Sequence, residues 1–151
     1  MKNRIDYNEK LAEHFTLGEM VRSATARRLN IRNVPNEAHV ECLRALCQQV
    51  LEPLRRRFGV IRITSGYRCL ALNEAVGGVK NSQHMRGEAA DIHCGSIDEA
   101  RKMVVFMREN LVFDQLLLER IMGNGCCWIH VSYVVETERR CNRQMVRFVS
   151  I

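Results

Sequence analysis

The chain has 151 residues, a length that buries about two-thirds of the unfolded surface and predicts one compact domain over 1–151. Hydrophobic residues make up 46% and charged residues 26%, the balance of a soluble globular protein, and no apolar run reaches the roughly 20 residues of a membrane span. A net charge of +6 favours acidic partners, whether nucleic acid, an anionic membrane or a polyanionic cell wall, without choosing among them.

The first segment, "MKNRIDYNEKLAEHF", carries Lys2 and Arg4 with no apolar stretch behind them, so no secretory signal peptide is visible. In "FTLGEMVRSATARRLN", Thr16 and Glu19 have capping-box spacing and start a helix. Beyond "NVPN", Leu43, Leu46, Cys47, Val50, Leu51 and Leu54 recur at helical spacing as one buried stripe. Pro53 predicts a kink or a break in that helix, which ends near Gly59. "VIRITSGYR" alternates as a strand running into a turn at Gly66, and "LALNEAVGG" allows only a turn or two of helix.

"EAADIHC" reads as a strand entered through Gly87, and Ser96 with Glu99 opens a helix carrying Ile97, Ala100, Met103, Val104, Met107 and Leu111. The strands "FDQLLLE", "CCWIHVSY" and "QMVRFVS" follow, separated by "MGNG" and "ETERRCNR". Helices first and strands later, with hairpin-length links, predict an α+β domain with a mainly antiparallel sheet and helices packed on it. The arginines of "PLRRRFG" and "ERRCNR" have no interleaved aromatic residues to stack bases and read as solvated helix and turn faces. Seven cysteines, without C-x-x-C pairs, predict reduced thiols, with Cys42 and Cys47 as small core residues; His14 and His39 read as surface or helix-end residues.

The stretch "NSQHMRGEAADIHCGS" concentrates two histidines, an aspartate and a cysteine. On a strand, Asp91 and His93 share a face, as do Trp128, His130 and Ser132 in "CCWIHVSY". If the two strands pair with Asp91 opposite His130, the two Cβ atoms stand about 5 Å apart, and His84 could fold back as a third ligand. Three such ligands and an open position suit catalytic zinc. A structural His–Asp pair is the plainer reading of the same spacing. His93 is a candidate supporting group or alternative ligand. A rival sulfur site would join Cys94, Cys126 and Cys127 to His93 or His130.

"SGYRCLALNEAVGG", "SQHMRGEAADI" and "WIHVSY", in that order, resemble the zinc D-alanyl-D-alanine carboxypeptidases and related peptidoglycan endopeptidases, which share their fold with the hedgehog signalling domain. The likeness runs from about Phe15 to Tyr133. It implies zinc as cofactor with His84, Asp91 and His130 as ligands, Arg68 as a catalytic residue contacting substrate, and Ser82 as a substrate-binding serine, although Ser82 also suits a turn. The family's base positions before the last histidine are here Cys127 and Trp128, neither suited to the role. Close relatives carry a glutamate ending a similar "DQLIxE" strand, which implies Glu119 as general base; the alternative is a surface carboxylate paired with Arg120.

The resemblance implies a zinc metallopeptidase acting on peptidoglycan stem peptides, as a carboxypeptidase or an endolysin-type endopeptidase. A monomer without nucleic-acid partner or membrane insertion is expected. It would be made in the cytoplasm and act on the cell wall or periplasm after release. The alternatives are a non-catalytic, zinc-stabilised binding domain of the same fold and a basic nucleic-acid module built on the N-terminal helices.

Overall fold

A helix starts where a polar side chain satisfies a free backbone N–H, and this chain uses the device repeatedly. In the computed structural model, which describes residues 4–151 and leaves Lys2 outside them, Thr16 Oγ1 accepts from Glu19 N to open α1 (Leu17–Val21). Ser23 accepts from Ala26 N to open α2 (Ala24–Arg28). The one helix predicted from Thr16 is therefore two short ones, divided at Arg22, whose backbone is extended. A small hairpin of β1 (Lys10–Ala12) and β2 (Phe15–Thr16) precedes them.

Helix α3 (Glu37–Leu46) opens on Asn36, with His39 closing the capping box in place of a glutamate. It continues through a π-type turn at Cys47–Leu51 into α4 (Glu52–Phe58), which ends at Gly59 with φ of 81°. The Glu52 N–H reaches back five residues to the Cys47 carbonyl, so the ladder widens just before Pro53, which has no N–H to give. The expected kink becomes a widened turn. All six residues of the predicted stripe are buried, and Cys42 is half-buried beside it.

Strand β3 (Arg62–Ser65), helix α5 (Leu70–Ala75), a 3₁₀ turn at Gln83–Arg86, strand β4 (Ala89–Cys94) and helix α6 (Ile97–Asn110) follow, then β5 (Gln115–Arg120), β6 (Cys127–Ser132) and β7 (Met145–Ser150). Five strands form one sheet in the order β3-β4-β6-β5-β7. The fold is α+β. One sheet face, carrying Ala90, Ile92, Leu116, Leu118, Ile129 and Val131, joins the α3–α4 stripe and the Met103, Val104 and Met107 face of α6 in a common core. The other face is left for polar side chains.

The pairings among β3, β4, β6 and β5 are antiparallel, but β7 runs parallel to β5. A hairpin-length link before β7 would have laid it beside β6, whose two sides are already taken by β4 and β5. Residues 133–144 instead cross the start of β5 to reach its free edge.

The N-terminal hairpin is tied to α4 by a buried carboxylate. Glu52 accepts from His14 N and faces His14 Nδ1, each at 2.7 Å. Burial alone would raise the Glu52 carboxyl; the hydrogen bonds from His14 outweigh it and hold the group below its ordinary value of 4.5. Glu52→Gln should therefore lose about 1–3 kcal/mol near neutral pH. A depressed carboxyl contributes its stability above the unfolded value and loses it as pH falls through the folded one. Urea titrations should show wild type and variant converging in acid below pH 4.5.

Candidate metal centre

Strands β4 and β6 pair with Asp91 directly opposite His130, and alternation turns both away from the core face carrying Ile92 and Ile129. The third member arrives from a different local structure. Ser82 Oγ accepts from His84 N and opens the 3₁₀ turn, which closes on Gly87 at φ of 74°. A Cβ on Gly87 would stand 2.5 Å from the His39 carbonyl oxygen, so the chain can swing from the turn into β4 only without a side chain there.

His130 Nδ1 lies 2.9 Å from Asp91 Oδ1, and His84 Nε2 lies 3.3 Å from Asp91 Oδ2. The three ligand atoms stand within 4.8 Å of one another. His84 Nδ1 is 2.7 Å from the Gly66 carbonyl oxygen, which can only accept, so this nitrogen carries the proton. In the neutral ring the Nε2 lone pair then faces a carboxylate oxygen within a buried turn. Two acceptors in opposition are relieved by a cation between them. Donors about 2.0–2.2 Å from a tetrahedral ion stand about 3.4 Å apart, close to the spacing found here. The donor set fits a divalent metal.

Burial would raise the Asp91 carboxyl, but protons on the facing nitrogens of His130 and His84 would, through their hydrogen bonds and charge, hold it far below the ordinary carboxylate range, and a cation in their place would act in the same direction. A ligand that stays ionised in acid is one that a metal need not deprotonate. Arg68 Nη2 reaches Asp91 Oδ2 at 3.3 Å, while its Nε donates to Ser65 Oγ at 3.0 Å and Nη1 to Asn73 Oδ1 at 3.4 Å. Burial lowers the Arg68 pKa from its ordinary value, and the Asp91 charge works against that shift. Asn33 staples the Arg68 turn by bonding to the Val21 and Tyr67 carbonyls and to Cys69 N. Neither asparagine carried a signal in the sequence, because each acts through backbone or side-chain groups brought from distant segments.

The group lies in a cleft of about 940 Å³, also lined by Ser82, Glu119, Trp128 and Arg68. On β5, Leu116 and Leu118 face the core while Gln115, Leu117 and Glu119 face the cleft. Leu117 lies opposite His130 and Glu119 opposite Trp128, which sets Glu119 on the diagonal to His130, within reach of a long side chain. Arg120 points to the other side and makes no ion pair with Glu119 among the described residues.

His93 shares the Asp91 face but is exposed, opposite Trp128, and does not join the three-residue group. Cys94 and Cys127 lie opposite each other on the core side, burial pushes both thiols up, and Cys126 is exposed. Strand alternation thus separates the sulfur atoms from His93 and His130 and removes the rival site. A second cluster, Glu13, His14 and Glu52, is the hairpin clamp. No helix among the described residues is long and apolar enough to cross a membrane.

Two of the three arginines of "ERRCNR", Arg140 and Arg143, are held by buried carboxylates rather than left free on a solvated turn, while Arg139 is exposed as expected. Arg140 donates to both oxygens of Glu88 at 2.8 and 3.1 Å, and Arg143 donates to both oxygens of Asp114 at 2.9 Å. Both carboxylates are buried, and their need for partners draws the arginines inward. Glu88 and Asp114 sit in the strand-like stretches "GEAAD" and "VFDQL", and nothing in either stretch announces an ion pair.

No curated protein matches the chain. The family model described as Peptidase M15 matches residues 13–132, which include the three converging side chains, Arg68 and Glu119. That match spans most of the sequence, and the chain is a member of the Peptidase M15 family.

Proposed function

We propose that the chain is a zinc-dependent peptidase that hydrolyses bonds in the stem peptides of bacterial peptidoglycan. The single observation carrying this reading is the convergence of His84, Asp91 and His130 at one side of an open cleft that also presents Glu119 and Arg68. Zinc held there would supply Lewis acidity that makes a water easier to deprotonate near neutral pH.

The protein's own groups hold the reactants and move the protons. His84, Asp91 and His130 would hold the metal, a three-donor protein set being the kind that catalytic rather than structural zinc sites use. Glu119 takes a proton from the attacking water and returns it to the leaving amine, as a general base that then acts as general acid. Arg68 is already oriented by Ser65 and Asn73, so it meets developing charge on the scissile carbonyl, or a terminal carboxylate, without reorganising. Ser82 accepts from His84 N and keeps its own proton for a substrate carbonyl. The candidate cleavage sites are terminal D-alanyl-D-alanine bonds and internal stem or cross-link bonds.

Zinc titration of chelator-treated protein should raise the melting temperature. At a hundred times Kd the stabilisation is about 2.7 kcal/mol, or roughly 5–10 °C for a chain of this size. Asp91→Asn should abolish that shift; an unchanged shift would move the metal elsewhere. Glu119→Gln should keep the shift and lower kcat on defined muropeptides, read by mass spectrometry, about 10²- to 10⁴-fold. Full activity in that variant would reject Glu119 as base, and zinc binding without hydrolysis of any muropeptide by wild type would favour the non-catalytic binding domain.

A further inference from the structure

The family match ends at Ser132, and the segment that follows, residues 133–144, builds one wall of the cleft. Arg139, Arg140, Cys141 and Arg143 line it, together with Arg86 from the 3₁₀ turn. Two buried carboxylates hold this wall. Glu88 takes Arg140 and Arg86, the latter at 2.8 Å, and Asp114 takes Arg143. Four guanidinium groups stand on this wall against the two carboxylates that hold it, while Asp91 and Glu119 also line the cleft.

Arg139 is the arginine of the loop without a partner. Among the described residues its side chain forms no ion pair and no hydrogen bond, and only its N–H is used, donating to Thr137 Oγ1. Its backbone is nonetheless pinned. Thr137 Oγ1 also accepts from Arg140 N, Thr137 N donates to the Arg140 carbonyl, and Asn142 exchanges hydrogen bonds with the Val134 backbone in both directions. Arg139 is thus an exposed guanidinium on a fixed loop, between Glu138, which forms no ion pair among the described residues, and Arg140, which is committed to Glu88.

Resting on the peptidase reading above, we infer that Arg139 forms a carboxylate-binding subsite that selects anionic peptides. Arg139 lines the same cleft as His84, Asp91 and His130, on the wall built after the family match ends, whereas Arg68 stands at the converging group itself. The substrate class is a peptide bearing a free carboxylate away from the bond that is cut. An arginine fork suits that group because it meets both oxygens at once.

The sole tryptophan, Trp128, lines the same cleft and reports binding by its fluorescence. The probe is a pair of synthetic stem peptides, one with a free carboxylate away from the expected cleavage point and one with that group amidated. Both are titrated into the full chain with metal chelated, so that no turnover intervenes. Wild type should bind the acid about tenfold more tightly than the amide, the size of one charge-assisted hydrogen bond. Arg139→Ala should bring the two affinities together, and Arg139→Lys should keep part of the preference. Equal binding of acid and amide by wild type, an undiminished preference in Arg139→Ala, or tighter binding of a single-stranded oligonucleotide than of the acid peptide would overturn the subsite. The peptidase reading is tested separately, by hydrolysis with zinc restored: a preserved binding preference without cleavage would sink the activity and leave the subsite standing.

Discussion

The register between β4 and β6 is the constraint on which the rest of the molecule depends. With Asp91 opposite His130, the alternate residues Ala90, Ile92, Ile129 and Val131 all meet the helices in the core. A slip of one residue in either strand would reverse its faces, burying an ionised carboxylate or an imidazole among methyl groups and exposing isoleucine and valine to water. Each isoleucine or valine so exposed loses about 1.5–3 kcal/mol, and an unpaired buried charge costs several more. Core packing therefore selects the register, and the register places two of the three converging side chains. The candidate site needs no dedicated scaffold of its own at this point.

The third side chain is held by backbone rather than by sheet geometry. His84 donates to the Gly66 carbonyl, and its own carbonyl accepts from Arg68 N, so the turn bearing the histidine and the turn bearing the arginine lock each other. Gly66 makes the contact possible, since a Cβ there would fall 2.2 Å from the Met20 carbonyl oxygen. One consequence is that Arg68 and His84 cannot be positioned independently: each is oriented through the other and through Asp91. A second is electrical. Two imidazoles and a guanidinium converge on one carboxylate, and where an imidazole turns a lone pair toward it, as His84 Nε2 does once Nδ1 donates to Gly66, the opposition of two acceptors is one that a cation would relieve.

How much of this was legible in the sequence follows from how local each cause is. Helix caps at Thr16, Ser23 and Ser96 act within three residues, and the sequence reading found two of them. The α3–α4 stripe and the strand alternation are periodic, so the core and the facing of Asp91, His130 and Glu119 could be read from spacing. The pairing that brings Asp91 and His130 together could be posed only as a condition. What could not be read depends on distant partners: the parallel course of β7, the Asn33 and Asn73 staples, and the buried carboxylates Glu88 and Asp114 that turn an apparent surface run of arginines into a structured wall. The π-type turn escaped for a different reason. Pro53 signals that the ladder must change but not whether it breaks or widens, and the unbroken apolar stripe across Cys47 and Val50 settles it in favour of widening.

The parallel placement of β7 ties fold to specificity. Because β6 already has neighbours on both sides, the chain must travel from its end to the far edge of β5, and residues 133–144 are the length of that crossing. The crossing takes place at the end of the sheet where Gln115, Ser132 and Met145 lie together, next to the mouth of the cleft. A loop forced to pass there must either be mobile over the site or be anchored beside it. Bonds to Glu88 and Asp114 anchor it, and because each buried carboxylate requires a cation, the loop is rich in arginine. Anchoring by charge has a further effect: the guanidiniums that face solvent sit on a preorganised frame, so a carboxylate arriving in the cleft finds its partner already placed. The sheet topology thus accounts for why the segment beyond the family match lays an anchored wall of arginines beside the cleft.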